Sequence, residues 1–260
     1  MGGEFGDFAL IALAAFAAGA MNSVAGGGTF FSFPALLAAG VPPVVANASN
    51  AVALWPASLS SAYAFRHELR RFSQSLPALS LIALLGGGAG GLLLLAISNQ
   101  AFSRLIPWLL LIATLSFAVS GKLSALLARL APHSRSSVHK IGPGGLCFQL
   151  LVSIYGGFFG AGMGILMLAA LAIQGYEDIL EINALKNWLS AIIYSVAVVT
   201  FVAAGAVSWP HTLTMLATAS LGGYWGARLA RRIPAAALRR FIVTVGLLLT
   251  LYYFVQTHTE

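Results

Sequence analysis

Charge is what this sequence has least of. Of its 260 residues only 8% are Asp, Glu, Lys or Arg, while 59% are hydrophobic. A water-soluble domain spends about 25% of its residues on charge to solvate its surface. A soluble fold is therefore excluded, and most of the outer surface has to face lipid. Charge is missing altogether from Phe8–Phe65, Phe72–Ser103, Leu105–Gly121, Ile141–Tyr176, Asn187–Ala227 and Phe241–Thr259. Each run can hold at least one stretch of the roughly 20 apolar residues that cross a hydrocarbon core of about 30 Å.

Cysteine is nearly absent too. Cys147 alone excludes an intrachain disulfide and a multi-thiolate metal site. There is no HExxH pair and no GxSxG elbow, and His67, His133, His139, His211 and His258 are dispersed, so no hydrolase set is visible and the reading is not an enzyme. Gly86-Gly-Gly-Ala-Gly-Gly91 fits GxGxxG in form, but inside an apolar segment it reads as close helix packing, as do Gly222 and Gly226. No nucleotide-binding motif or cofactor signature appears. Met1–Asp7 carries Glu4 and Asp7 where a signal peptide would be basic, so the first apolar segment is expected to direct insertion.

What basic charge there is sits between the apolar runs. The net charge of +7 therefore reads as a topology signal, not as a nucleic-acid surface. Sliding the chain along itself gives one gap-free register with an offset of 136 residues, which places Asn47 on Asn183. Ala25, Gly26 and Gly28 then meet Ala161, Gly162 and Gly164; Gly86, Gly87 and Gly90 meet Gly222, Gly223 and Gly226; and Arg104 meets Arg240. The expected organisation is a first repeat over 1–120, a cytoplasmic linker over 121–144 and a second repeat over 145–260.

Each half shows the same order of elements. An apolar helix (about Phe8–Ser23, or Leu146–Phe159) meets a glycine-rich break, Ala25–Thr29 or Gly160–Gly164. A short apolar stretch follows, Phe30–Ala39 or Ile165–Gln174. Three longer segments close the half: Val44–Phe65, Leu76–Ile97 and Phe102–Ser120, against Ile179–Ala204, Thr212–Leu229 and Ala236–Phe254. The short stretch, at 1.5 Å per residue, reaches only about half the hydrocarbon core. It fits a half-helix that enters and turns back, which is tolerated only when buried in protein.

Arg66, Arg70 and Arg71 mark the first long-helix loop of half one as cytoplasmic, whereas the matching loop Gly205–His211 has no Lys or Arg. In half two the basic loop is the next one, with Arg228, Arg231, Arg232, Arg239 and Arg240. Opposite sidedness of equivalent loops implies inverted repeats. The fold expected is an all-α polytopic membrane protein. Each half would be a glycine-broken hairpin that does not cross, plus three transmembrane helices.

Two constellations could carry chemistry. Asn183, Lys186 and Asn187 share one helical face, which Ser190 and Tyr194 extend. A lysine within a span is costly and is a functional candidate by default, although one about 10 Å from a helix start can also snorkel to the interface. The matching face of half one holds Asn47 and Asn50 and no charge. Gly26, Gly27, Gly28 and Thr29, and Gly162 and Gly164, each precede a short helix whose first N–H groups lack internal partners, an arrangement suited to an anion. Close packing is the competing use of those glycines. Glu177, Asp178 and Glu181 read as a solvated helix cap, with Glu181 alternatively pairing with Lys186 or exchanging a proton.

Gly19-Ala-Met-Asn-Ser-Val-Ala-Gly-Gly-Gly28, Pro34-Ala-Leu36, Gly40 and Ala46-Asn-Ala-Ser-Asn50 resemble the first-half signature of the TauE/SafE permeases. Gly156-Gly-Phe-Phe-Gly-Ala-Gly-Met-Gly164 with Asn183-Ala-Leu-Lys-Asn187 resembles the second. The resemblance covers nearly the whole chain. It implies a multi-pass permease of the cytoplasmic membrane that moves sulfite, a sulfonate or a related organosulfur anion, with both signatures near the path. The partners expected are a small anionic solute, the lipid bilayer and a coupling proton, with no cofactor and no nucleic acid. An anion channel or facilitator, and a membrane scaffold with no flux of its own, are the alternatives.

Overall fold

The computed structural model describes residues 2–24, 27–72, 75–130, 143–174, 179–229 and 235–259. They form ten α-helices: α1 (Gly2–Val24), α2 (Thr29–Ala38), α3 (Pro43–Ala64), α4 (Leu76–Ala96), α5 (Asn99–Leu130), α6 (Pro143–Phe158), α7 (Met163–Ile173), α8 (Ile179–Ala203), α9 (Trp209–Leu229) and α10 (Ala235–Thr259). A short 3₁₀ turn, Glu68–Phe72, links α3 and α4, and no strand occurs among the described residues. The all-helical architecture follows from the solvent. In hydrocarbon each backbone N–H and C=O must be paired within its own segment.

Four helices are long and apolar enough to cross a membrane unaided: Leu76–Ala96, Asn99–Ser120, Ile182–Ala203 and Ala237–Thr257. Their outer faces expose Leu81, Leu84, Leu92, Leu115, Val199, Leu248 and Leu251, a surface that only lipid would solvate. Exposed Trp209, Tyr63, Tyr224, Trp225 and Tyr252 lie toward helix ends, where amphipathic rings settle at the headgroups.

The order long, short, long, long, long recurs in the two halves, with bounds close to those read from the sequence. α1 starts six residues earlier than read and α10 ends five later, and the largest difference is at the end of α5. α5 continues to Leu130, so the helix outlasts the charge-free run by several turns and carries Lys122 and Arg129 on its extension. Charge at those positions ends the lipid-compatible stretch, and nothing there breaks a helix.

Packing exchanges elements between the halves. α1 lies mainly on α9 and α6 mainly on α4, so each half's first helix is seated on the other half's fourth. Glycine makes both seats. A Cβ on Gly157 would overlap the Gly87 backbone, one on Gly90 would overlap the Ile154 carbonyl, and one on Gly222 would overlap the Phe16 carbonyl. Such backbone approach is how helices gain dispersion energy where lipid supplies no hydrophobic drive. The packing assigned to Gly86, Gly90 and Gly222 from sequence is what the structure shows; the Gly226 surroundings lie outside the described residues.

Equivalent helices also meet one another. α3 and α8 run antiparallel, with Ser208 N donating to Ser49 Oγ at 2.9 Å and Trp55 Nε1 to Ser195 Oγ at 2.9 Å. α5 and α10 cross likewise, Trp108 against Phe254 and Thr114 against Gly246. Thr114 Oγ1 donates to the Leu110 carbonyl and Thr250 Oγ1 to the Gly246 carbonyl, each at 2.7 Å. These two pairs are matched by the same 136-residue offset.

The hairpins enter from opposite ends of the bundle. Phe8 stacks on His211 at 5.0 Å, beside the Ser49–Ser208 contact where α3 begins, and α2 returns to that same end. At the other end Gln174 Nε2 donates to the Gly145 carbonyl at 3.4 Å, so the end of α7 comes back to the start of α6.

Candidate functional site

Both breaks depend on glycine backbone. Gly27 has φ +90°, Gly160 +78° and Gly162 +72°, a region that costs other residues roughly 1–2 kcal/mol. Gly27 and Gly162 converge on one face of α5, a turn apart. A Cβ on Gly27 would lie 2.8 Å from the Phe117 ring, and one on Gly162 would lie 3.1 Å from Ala113 Cα. The two interruptions, distant in sequence, are thus neighbours at the centre of the bundle.

The described part of the first break is closely packed. Phe117 is 3% exposed, covers Gly27 and meets Phe30 edge-on at 5.8 Å. Gly28 abuts the Ala18 backbone. At Gly28, therefore, close packing takes up the space that an anion would need. Gly26 lies outside the described residues. Thr29, Ser32 and Asn50 form a buried polar knot at that start. Ser32 Oγ reaches both the Gly28 carbonyl, at 3.2 Å, and Asn50 Oδ1, while Asn50 Nδ2 donates to Thr29 Oγ1 at 3.4 Å.

The second break is built differently. Thr29, Ser32 and Asn50 are matched at the 136-residue offset by Ile165, Leu168 and Lys186. The hydroxyls are replaced by hydrocarbon and the amide by an ammonium. Lys186 lies with its Cδ 3.8 Å from where a Gly164 Cβ would stand, and its Nζ donates to Asn183 Oδ1 at 3.1 Å. Of the glycines in the two breaks with described neighbours, Gly164 is the least crowded. The face shared by Asn183, Lys186, Asn187 and Ser190 does turn toward this break: Tyr194, a turn further along, brings its hydroxyl to the Gly160 carbonyl at 3.5 Å. Asn187 is half-buried on α8. Glu177, Asp178 and the Glu181 side chain lie outside the described residues.

Asn47, singled out from sequence, acts here together with residues that were not. Asn47 Nδ2 donates to the Phe158 carbonyl at 2.8 Å, so a first-half side chain caps the C-terminal end of α6. Tyr155 Oη donates to the Ala161 carbonyl at 2.6 Å and spans the turn. Phe33, Phe102, Phe158 and Phe159 stack edge-to-face beside it, with Phe33–Phe159 and Phe102–Phe158 both at 5.5 Å. Ser32 gave a weak signal in the sequence, standing a turn after Thr29 on the short helix with no counterpart in half two, whereas Phe117 gave none.

The family model described as "Sulfite exporter TauE/SafE" matches residues 11–253. The chain belongs to the TauE/SafE family. It is similar to a "Probable membrane transporter protein" of Haemophilus influenzae, at 27% identity over 93% of this chain and 92% of the relative. It is also similar to "Probable membrane transporter protein ORF9" of a Sinorhizobium species, at 28% over 94% and 90%. With "Probable membrane transporter protein YfcA" of Escherichia coli K12 it shares 28% over 94% and 88%. No solved structure gives a significant match. As a TauE/SafE protein the chain is a multi-pass membrane transporter.

Within this TauE/SafE chain, Phe117→Ala is expected to uncover Gly27. Emptying a buried aromatic site costs about 3–5 kcal/mol, so Phe117→Leu, which retains most of the apolar bulk, is the companion variant. Purified in liposomes, Phe117→Leu should pass solutes faster and with less discrimination than wild type. Unchanged flux and unchanged selectivity in both variants would show that the ring is packing alone.

Proposed function

We propose that this TauE/SafE chain is a secondary transporter that carries a small sulfur oxyanion, sulfite or a sulfonate, across the cytoplasmic membrane. One observation carries the reading: the stem of Lys186, whose ammonium donates to Asn183, lies beside Gly164 at the amino end of the short helix α7. Cation, amide dipole and unpaired N–H groups would then act together on one negative guest. Asn187 and the backbone from Gly162 to Gly164 would orient it. On the first-half side, Gly26 to Thr29, Asn47 and Asn50 would face the same path from the opposite hairpin.

The halves are read as inverted repeats, supported by the antiparallel α3–α8 and α5–α10 pairs and by hairpins entering from opposite ends. Close packing of Phe117 on Gly27 favours a carrier that alternates over a continuously open channel. Glu181, or the ammonium itself, is the candidate for proton coupling.

The direct test is a thermal-stability screen of the purified protein against sulfite, thiosulfate, sulfoacetate, sulfate and acetate. A ligand that binds only the folded state raises the unfolding temperature by mass action. The reading predicts a saturable shift with at least one sulfur oxyanion and none with acetate. No shift with any of them would remove the substrate assignment.

Sidedness has its own test. In a Cys147→Ser background, His67→Cys and Ala204→Cys place thiols at two exposed positions on opposite ends of the bundle. Ala204→Cys should react with an impermeant thiol reagent added outside intact cells, and His67→Cys only after permeabilisation. The reverse pattern would invert the topology proposed here.

A further inference from the structure

In the second half, Asn183 Oδ1 accepts a hydrogen bond from the Lys186 ammonium. Its first-half equivalent, Asn47, is 2% exposed, and its Oδ1 has no hydrogen-bond partner among the described residues. The amide cannot be turned over to remove the difficulty. Its nitrogen already donates to the Phe158 carbonyl, and a flip would set two oxygens against each other. A buried acceptor left alone is unfavourable. Half one therefore has the acceptor and lacks the cation, because Lys186 is matched there by Asn50, too short and neutral.

One turn along α3 from Asn47 the first half supplies further oxygens. Asn50, one turn from Asn47 on the same face of α3, presents Oδ1, and Thr29 and Ser32 present hydroxyls at 4% and 1% exposure. Ser32 has a single proton for two acceptors, the Gly28 carbonyl and Asn50 Oδ1. Neutral amide and hydroxyl oxygens are what a hard cation replaces its hydration shell with. The field agrees on one side: Asn47 touches the carbonyl end of α6, the negative end of that helix. The amide end of α2 opposes a cation. Together they favour one charge held loosely enough to leave, as a coupling ion must be.

We propose that the first half binds a small monovalent cation, Na⁺, at Asn47 Oδ1 with Asn50 and the hydroxyls of Thr29 and Ser32, in the place that the Lys186 ammonium takes in the second half. The transporter would then work with one tethered cation and one exchangeable cation, related by the internal repeat. This rests on the transporter reading for its purpose, although not for its detection.

The experiment uses the full-length purified protein without added sulfur oxyanion. NaCl is exchanged for N-methyl-D-glucamine chloride at constant chloride and ionic strength while the unfolding temperature is followed. Wild type should show a saturable rise with Na⁺, and Asn47→Ala should need at least tenfold more Na⁺ for half the effect. Asn50→Lys, which tethers an ammonium where the ion would sit, should be indifferent to Na⁺. Lys186→Met should keep the Na⁺ response and lose the response to sulfite. Absence of a Na⁺-specific rise in wild type, or an unaltered one in Asn47→Ala, overturns the proposal. Should Asn47→Ala fail to fold, a Na⁺ response that survives in Asn50→Lys overturns it equally. A Na⁺ response with no response to any sulfur oxyanion sinks the anion assignment and leaves the cation site standing.

Discussion

Lys186→Met should cut sulfur-oxyanion flux into liposomes by about 30-fold or more while leaving the protein as stable as wild type, or more so. The two halves of that outcome have one cause. Removing one member of a buried, hydrogen-bonded charge pair costs about 2–5 kcal/mol in binding, and each 1.4 kcal/mol is tenfold. Without a guest, however, the ammonium within the span is a burden on the fold. It costs about 2.5–3.5 kcal/mol on insertion scales, and Met fills similar space without a charge. A merely structural lysine, snorkelling to the interface, would show the opposite pattern, with flux preserved. Lys186→Arg gives an intermediate case: charge is kept, but the planar group is larger than the space between Gly164 and Asn183 suggests. Full flux in Lys186→Met at normal expression would end the case for this lysine as the anion's partner.

The second large effect concerns assembly. Gly157→Ala places a methyl group onto the Gly87 backbone, and Gly222→Ala places one onto the Phe16 carbonyl. Overpacking costs typically 1–3 kcal/mol, and backbone cannot rotate aside as a side chain can, so the upper end applies at both sites. Each variant should lower the unfolding temperature of the purified protein markedly and reduce the folded fraction in extraction by mild detergent. Gly88→Ala is the control. It stands next to Gly87 on α4, yet its Cβ would make only an ordinary contact, 3.7 Å from Val196. Alanine is also the better helix former by about 1 kcal/mol. Equal damage from Gly88→Ala and Gly157→Ala would mean that helix propensity, not the α4–α6 crossing, governs the result.

Much of the fold was legible because lipid imposes a simple rule. Runs without charge mark the segments, so α4 and α8 were placed to within about a residue or two, and the glycine tracts marked both interruptions. Chain partners were not legible. Gly19, Gly86 and Gly222 announce that a helix is approached closely, but a small residue carries no address, and nothing in the pattern pairs α1 with α9 or α6 with α4. The end of α5 was hidden for a related reason: Lys122 and Arg129 stop a lipid-facing run without stopping a helix. At the candidate site, residue type could not separate two uses of glycine. Gly28 proves to be seated against Ala18, whereas Gly164 leaves room that the Lys186 stem lines. Phe117 escaped notice because a phenylalanine inside an apolar segment looks like any other until the backbone opposite it is known.

The exchange of first helices between halves sets a timetable for biogenesis. Gly19 finds Ala219 only after 200 further residues have left the ribosome, an interval of about 10–40 s at ordinary elongation rates of 5–20 residues per second. During that time α1 waits in the bilayer with its narrow glycine face covered by lipid or by a temporary escort. The earliest segment to be made is therefore among the last to be locked in place, and a chain cut short before α9 would leave its own beginning without a berth.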